Sequence, residues 1–271
     1  MHSLLDARAY RAVESEFWSH ACAYGLQPVK LSAVYPAEWF ADAGETADIC
    51  SKEMISVARQ IDGKPIGVLA PEYTAPLSRL LKAVGGPGHC GADRFAYFGR
   101  AYRYNRPQAW RFREFTQCGW ECYGSLFSEP EIIYGAYEFL CRLGWVDVEL
   151  KINTIGTAEE QKQYARTLKA HFGSFADPDL QAKLTRSPLR VLDVLAKDAV
   201  DLPEWSLSTD TKHEFDKLCT NLDAMGVRYT VDRSLVRGLD YYEKTVFEFC
   251  VPGTDCALLS GGRYDRITND W

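Results

Sequence analysis

Residues 4 to 24 place Leu4, Tyr10, Val13, Phe17, Ala21 and Tyr24 at helical spacing, with Gly25 as a stop, which predicts an amphipathic helix. Residues 27–34 then read as a strand. The segment 44–54 leads into a hairpin expected around Asp62-Gly63, a dipeptide suited to a tight turn. A helix carrying Leu77, Leu80, Leu81 and Val84 on one face follows. Alternation takes over next: residues 95–105 and 113–123 read as two strands joined by the loop 106–112. After Glu129 the helical period returns through Ile132, Ile133, Ala136 and Leu140, closed by Gly144. Val146, Val148, Leu150 and Ile152 then alternate with polar neighbours as a half-buried strand.

At Gly156 the pattern becomes helical as far as about Gly226. It holds a capping box of Thr157 with Glu160, a face of Tyr164, Leu168 and Phe172, then Leu180 and Leu184, and a later helix with Phe215, Leu218, Leu222 and Met225. Beyond it, a β-rich run at 245–249, the turn residues Pro252-Gly253-Thr254-Asp255 and a second apolar run at 257–259 predict a hairpin. These elements imply an α+β protein in which a mainly antiparallel sheet with flanking helices is interrupted by a helical insertion. The expected division is 1–155, 156–227 and 228–271.

Composition narrows the function classes. With 271 residues, 46% hydrophobic and 25% charged, the chain can bury a sizeable core. The charged N-terminal residues fit no secretory or membrane-spanning segment, so a cytoplasmic protein is expected. Nine cysteines without a Cys-x-x-Cys pair argue for reduced thiols, and five dispersed histidines indicate no metal site. A net charge of -6 argues against a general nucleic-acid coat. Locally the balance reverses: Arg100, Arg103, Arg106, Arg111 and Arg113 fall in one hairpin without an intervening acid. A nucleoside triphosphate is a natural guest for such a field, and an exposed loop contacting RNA is the alternative.

Three further groupings carry chemistry. Arg237-Gly238-Leu239-Asp240-Tyr241-Tyr242, with Ser260-Gly261-Gly262-Arg263-Tyr264-Asp265, brings arginines and tyrosines around a turn. That chemistry suits a planar polar group bounded by hydroxyls beside an anion held by Arg237; a tyrosine corner with a surface ion pair is the other reading. Gly261-Gly262 is expected to let backbone approach a ligand. On the second strand of the arginine hairpin, Phe115, Gln117, Gly119, Glu121 and Tyr123 share one face. An amide and a carboxylate with a glycine between them leave room for an imidazole, unless the face is simply solvated. Glu72 and Thr74, ahead of the helix, read locally as a dipole partner and an N-cap.

The runs Arg-Gly-Leu-Asp-Tyr-Tyr and Gly-Gly-Arg-Tyr-Asp resemble the two histidine-specific motifs of class II histidyl-tRNA synthetases, and the upstream stretches match that family in order. The resemblance implies ATP-dependent activation of histidine and its ligation to tRNA(His), with ATP as substrate and Mg2+ accompanying the triphosphate. It assigns Arg237 and Arg103 to catalysis, and Glu72, Thr74, Gln117, Glu121, Tyr241, Tyr242 and Tyr264 to histidine. Arg103, Asn105, Arg111 and Arg113 fall to ATP. Residues 4–34 resemble motif 1, the dimer-interface element, which implies a homodimer; the helical stretch resembles the insertion that leans over the tRNA acceptor arm. Ser32, Ala70, Tyr73, Asn105 and Trp110 depart from the family's pattern. No run like motif 3 occurs in residues 1–271, so the chain as given is expected to bind histidine weakly and to be close to inactive until a downstream segment is added. The rival implied by the same resemblance is a non-catalytic paralogue: a histidine-sensing regulatory subunit of ATP phosphoribosyltransferase, or a sensor of uncharged tRNA.

Overall fold

The computed structural model describes residues 6–43, 49–105, 111–124, 129–195, 201–254 and 257–268. In chain order its elements are α1 (Asp6–Ala23), β1 (Gln27–Pro28), β2 (Val34–Tyr35), β3 (Ser56–Ala58), β4 (Pro65–Leu69), α2 (Thr74–Ala83), β5 (Arg94–Tyr102), β6 (Glu114–Cys122) and α3 (Glu129–Arg142). They continue as β7 (Glu149–Thr154), α4 (Ala158–Phe172), α5 (Pro178–Arg186), α6 (Leu192–Leu195), α7 (Thr209–Ala224), β8 (Thr230–Val231), β9 (Glu243–Cys250) and β10 (Ala257–Arg263).

The α+β architecture is as the periodicity predicts, with the strands distributed over three sheets. One has the order β1-β5-β6, a second β10-β9-β7-β8, and a third β2-β4-β3. Antiparallel pairing dominates; β1 with β5 and β7 with β8 are parallel. Helix α1 buries Phe17 and Ala21 with Leu26, Ala96 and Phe139, which fixes it against the first sheet and α3. Helix α3 presents Ile133, Ala136 and Leu140 to Leu150 and Ile152 of β7 and to Phe247 and Phe249 of β9.

The strand expected over 27–34 forms only at its ends. Pro28 has no N–H to donate. Val29 N–H still reaches the Ala96 carbonyl at 2.8 Å. Ser32 N–H instead donates to the Tyr35 hydroxyl at 2.8 Å, a local bond that takes the chain out of the ladder. The strand expected from Val146 starts at Glu149, and Val146 is exposed just after the left-handed Gly144. Of the segment 44–54, residues 44–48 lie outside the described set, as do Leu4 and residues 106–110.

The helical stretch has two packing partners. In α4, Glu160 N–H donates to Thr157 Oγ1 and Thr157 N–H to the Glu160 carboxylate, the capping box read from sequence. Glu160 also accepts from Ser208 N–H at 2.6 Å and Thr211 Oγ1 at 3.0 Å, tying α4 to the start of α7. Burial alone pushes the Glu160 carboxyl up, but these bonds outweigh it and hold it at about 2. Helices α4 to α6 pack Tyr164, Leu168, Leu184 and Leu192 against Tyr241, Tyr242 and Val246. Helix α7 instead places Leu218 and Leu222 in the core under β7 and β9.

Candidate active site

The site is built on the β5–β6 hairpin, where Phe95 faces Glu121, Tyr97 faces Gly119 and Gly99 faces Gln117. Directly opposed residues on paired strands share a face, so Tyr97, Gly119, Gln117 and Glu121 point the same way. The room left by Gly119 is taken by Tyr97: a Cβ there would stand 2.5 Å from the Tyr97 hydroxyl. Gln117 Nε2 donates to that hydroxyl at 3.0 Å, and the hydroxyl lies 3.3 Å from Glu121 Oε1. Glu121 also accepts from Thr74 Oγ1 at 2.6 Å and, in a short bond, from the Tyr264 hydroxyl. A buried carboxylate held by three hydroxyls is therefore the floor of the pocket.

Glu72 supplies a second buried carboxylate beside it. The local sequence reading gave the cap of α2 to the Thr74 side chain; the structure gives it to Glu72. The Glu72 carboxylate accepts from Thr74 N–H at 2.8 Å and Ala75 N–H at 3.1 Å, satisfying donors that a helix N-terminus leaves open. This frees the Thr74 hydroxyl to reach Glu121. Tyr241 extends its hydroxyl to 3.4 Å from Glu72 Oε2. Burial raises the Glu72 carboxyl above its ordinary range, and it pushes Glu121 up to about 7, against the lowering effect of its hydroxyl donors.

Tyr241, Tyr242 and Tyr264 form one wall. Their ring centroids lie 4.7 Å apart for Tyr241 and Tyr242 and 6.0 Å for Tyr241 and Tyr264, and Tyr264 meets Tyr123 at 6.1 Å. Gly261 and Gly262 make this packing feasible. A Cβ on Gly261 would lie 2.7 Å from the Phe247 ring, and one on Gly262 2.6 Å from the Thr245 carbonyl and 2.8 Å from the Tyr242 ring. The paired glycines thus accommodate neighbouring side chains and strand β9, and both also line the cleft. Arg263 is engaged as well, with Asp265 at 2.8 Å and Glu129 at 3.6 Å.

Two cations border the same cleft, Arg103 just after β5 and Arg237 ahead of β9. Arg103 Nε donates to the Pro71 carbonyl at 2.8 Å, and its guanidinium lies 5.1 Å from the Phe115 ring centroid. Burial lowers its pKa, countered by Glu53 and Glu72. Arg237 pairs with Glu248 at 3.1 Å and donates to Ser260 Oγ at 2.6 Å, a half-buried ion pair rather than a surface one. Asn105 and Arg111 line the same cleft, whereas Arg113 is exposed and stacks 4.1 Å over the Tyr104 ring. Glu72, Thr74, Gln117, Glu121, Tyr241, Tyr242, Tyr264, Arg103 and Arg237 all line the part between β6 and β10 of an open cavity of ≈ 2420 Å³ that continues along α3 and α7.

Among the described residues that line this cleft, buried atoms without a hydrogen-bond partner include Gln117 Oε1, an acceptor, and Arg237 Nε, a donor, besides Glu129 Oε1. Buried polar groups are rarely left unpaired, and here the first two match a ring N–H and an oxyanion. Among the described residues no cluster of three His, Cys, Asp or Glu side chains could hold a metal. Sequence reasoning missed Tyr97, Glu248 and Ser260. An aromatic residue opposite a mid-strand glycine was the available signal for Tyr97; the other two needed the loop of Arg237 folded back on the hairpin.

The model of the family described as histidyl-tRNA synthetase matches residues 3–271. The chain belongs to the histidyl-tRNA synthetase family. It is 37% identical over 277 residues to the histidine–tRNA ligase of Caldicellulosiruptor saccharolyticus, covering 97% of this chain and 65% of that relative. The chain thus spans about two thirds of that relative's length. In fold, this family member is similar to apo S. aureus histidyl-tRNA synthetase, with a TM-score of 0.70 at 24% identity over 98% of this chain and 65% of the other. It is also similar to a Bacillus halodurans protein described as an ATP phosphoribosyltransferase regulatory subunit/histidyl-tRNA synthetase, with a TM-score of 0.67 at 22% identity over 97% of this chain and 74% of the other.

Proposed function

We propose that the chain carries the site for ATP-dependent activation of histidine, the first step of ligating it to tRNA(His). The observation that supports this most is one cleft lined by buried Glu121, by Gln117 and by the cations Arg103 and Arg237. In this reading the imidazole of histidine donates to Gln117 Oε1 or Glu121, with Tyr242 and Tyr264 bounding the ring. Glu72, Thr74 and Tyr241 receive the α-amino group. The histidine carboxylate attacks the α-phosphorus of ATP in line, pyrophosphate leaves, and Arg103 and Arg237 stabilise the charge that grows on the phosphoryl oxygens. Mg2+ bound with the triphosphate would neutralise part of its charge. Asn105 and Arg111 serve the nucleotide, and Arg113 contributes from the rim. The acyl group then passes to the terminal adenosine of the tRNA. The helical stretch 156–227 as an insertion over the acceptor arm, and a homodimer, belong to the same proposal. Among the described residues, no helix is long and apolar enough to cross a membrane.

Calorimetry with histidine, with ATP and with a non-hydrolysable histidyl-adenylate analogue tests this. An activating site binds the analogue at least about 100-fold more tightly than histidine, because one molecule engages both halves of the cleft. A histidine sensor would bind histidine and gain nothing from the adenylate, and that result contradicts the proposal.

A further inference from the structure

We infer that Glu248 and Ser260 are positioning residues that aim Arg237 at the phosphoryl oxyanion, a role that rests on the histidine-activating reading above. Glu248 on β9 and Ser260 on β10 are direct register partners. Opposed residues in an antiparallel pair project from the same face, so the hairpin offers two acceptors side by side. Arg237, on the loop before β9, spans both: Nη1 donates to Glu248 Oε1 at 3.1 Å and Nη2 to Ser260 Oγ at 2.6 Å. The guanidinium is planar and rigid, so fixing both terminal nitrogens fixes the plane and the direction of every remaining N–H.

The choice of acceptors matters. Arg237 and Glu248 are only about one-fifth exposed, at 20% and 22%. Two carboxylates in that setting would hold the guanidinium by cancelling its charge twice over. One carboxylate and one hydroxyl orient it while spending less of its field. The guanidinium carbon also lies 6.0 Å from the Tyr242 ring centroid, which limits its swing. Arg237 Nε remains buried without an acceptor. A phosphoryl oxygen completes that set, and neither Glu248 nor Ser260 need touch the ligand.

The test uses the full chain and compares histidine with the non-hydrolysable histidyl-adenylate analogue by calorimetry. Ser260→Ala and Glu248→Ala are expected to weaken the analogue roughly tenfold and to leave histidine within about twofold, the size of one misdirected charge-assisted bond. Ser260→Thr and Glu248→Gln keep an oxygen in place and are expected to restore most of the loss. Unchanged analogue affinity in the two alanine variants overturns the inference. Equal losses for histidine and analogue also overturn it, since they mark general support of the pocket. If the unmodified chain gains nothing from the adenylate, the activation reading itself fails, and the inference falls with it.

Discussion

Glu72 and Glu121 are buried together, and the groups that hydrogen-bond them among the described residues are hydroxyls and backbone N–H groups. A carboxyl pushed from 4.5 to about 7 by burial binds its proton more tightly in the native chain than in the unfolded one. Its stabilising contribution is therefore complete below the unfolded pKa and lost as pH rises through about 7. For Glu121 the loss is on the order of 3 kcal/mol, and Glu72, also raised, acts in the same direction. Urea unfolding at pH 5 and pH 8 checks this: Glu121→Gln, which cannot ionise, is expected to lose less stability across that interval than the unmodified chain. Parallel pH dependence in the two would contradict it. The shared face of Gln117 and Glu121 was legible because alternation in a strand fixes which residues point together. The hydroxyls around them were not, because Thr74 and Tyr264 arrive from 47 and 143 residues away in sequence.

At the scale of elements, the helical stretch meets the arginine motif through Arg190, in the short turn Pro188–Val191 ahead of α6. A Cβ on Gly238 would stand 2.6 Å from Arg190 Nη1, and Arg190 is ion-paired with Asp193 at 3.1 Å. Gly238 is thus a glycine for contact, and its alanine variant displaces the guanidinium. Arg190→Ala is expected to cost about 1 kcal/mol and Gly238→Ala about half that, since the atom it displaces is the tip of a flexible side chain, with the double variant costing little more than Arg190→Ala alone, because the displaced group is then absent. Full additivity in urea unfolding would show the two sites to be independent. Caps and turns were readable here: the Thr157 box and the Asp62-Gly63 hairpin follow from a few adjacent residues. The strand over 27–34 was not, since the Tyr35 hydroxyl competes locally for a backbone donor that periodicity assigns to a ladder.

Across the whole molecule, the two hairpins that carry the site belong to different sheets. Among the described residues β6 pairs only with β5 and β10 only with β9, and the cleft separates them. Tyr264 bridges it, reaching from beyond β10 to Glu121 on β6. The division of a mainly antiparallel sheet into separate sheets is a long-range property that no local pattern encodes. In the proposed function one ligand is bound by both sides of this cleft, and selectivity for its side chain is the measurement that decides it. Calorimetry with histidyl-adenylate analogue and with the same analogue carrying asparagine is expected to favour histidine by about 100-fold or more, since a pocket of buried polar groups penalises a side chain that leaves them unpaired. Glu121→Ala is expected to erase most of that preference. Equal binding of the two analogues by the unmodified chain would show that this cleft does not read a histidine side chain, and would overturn the proposed function.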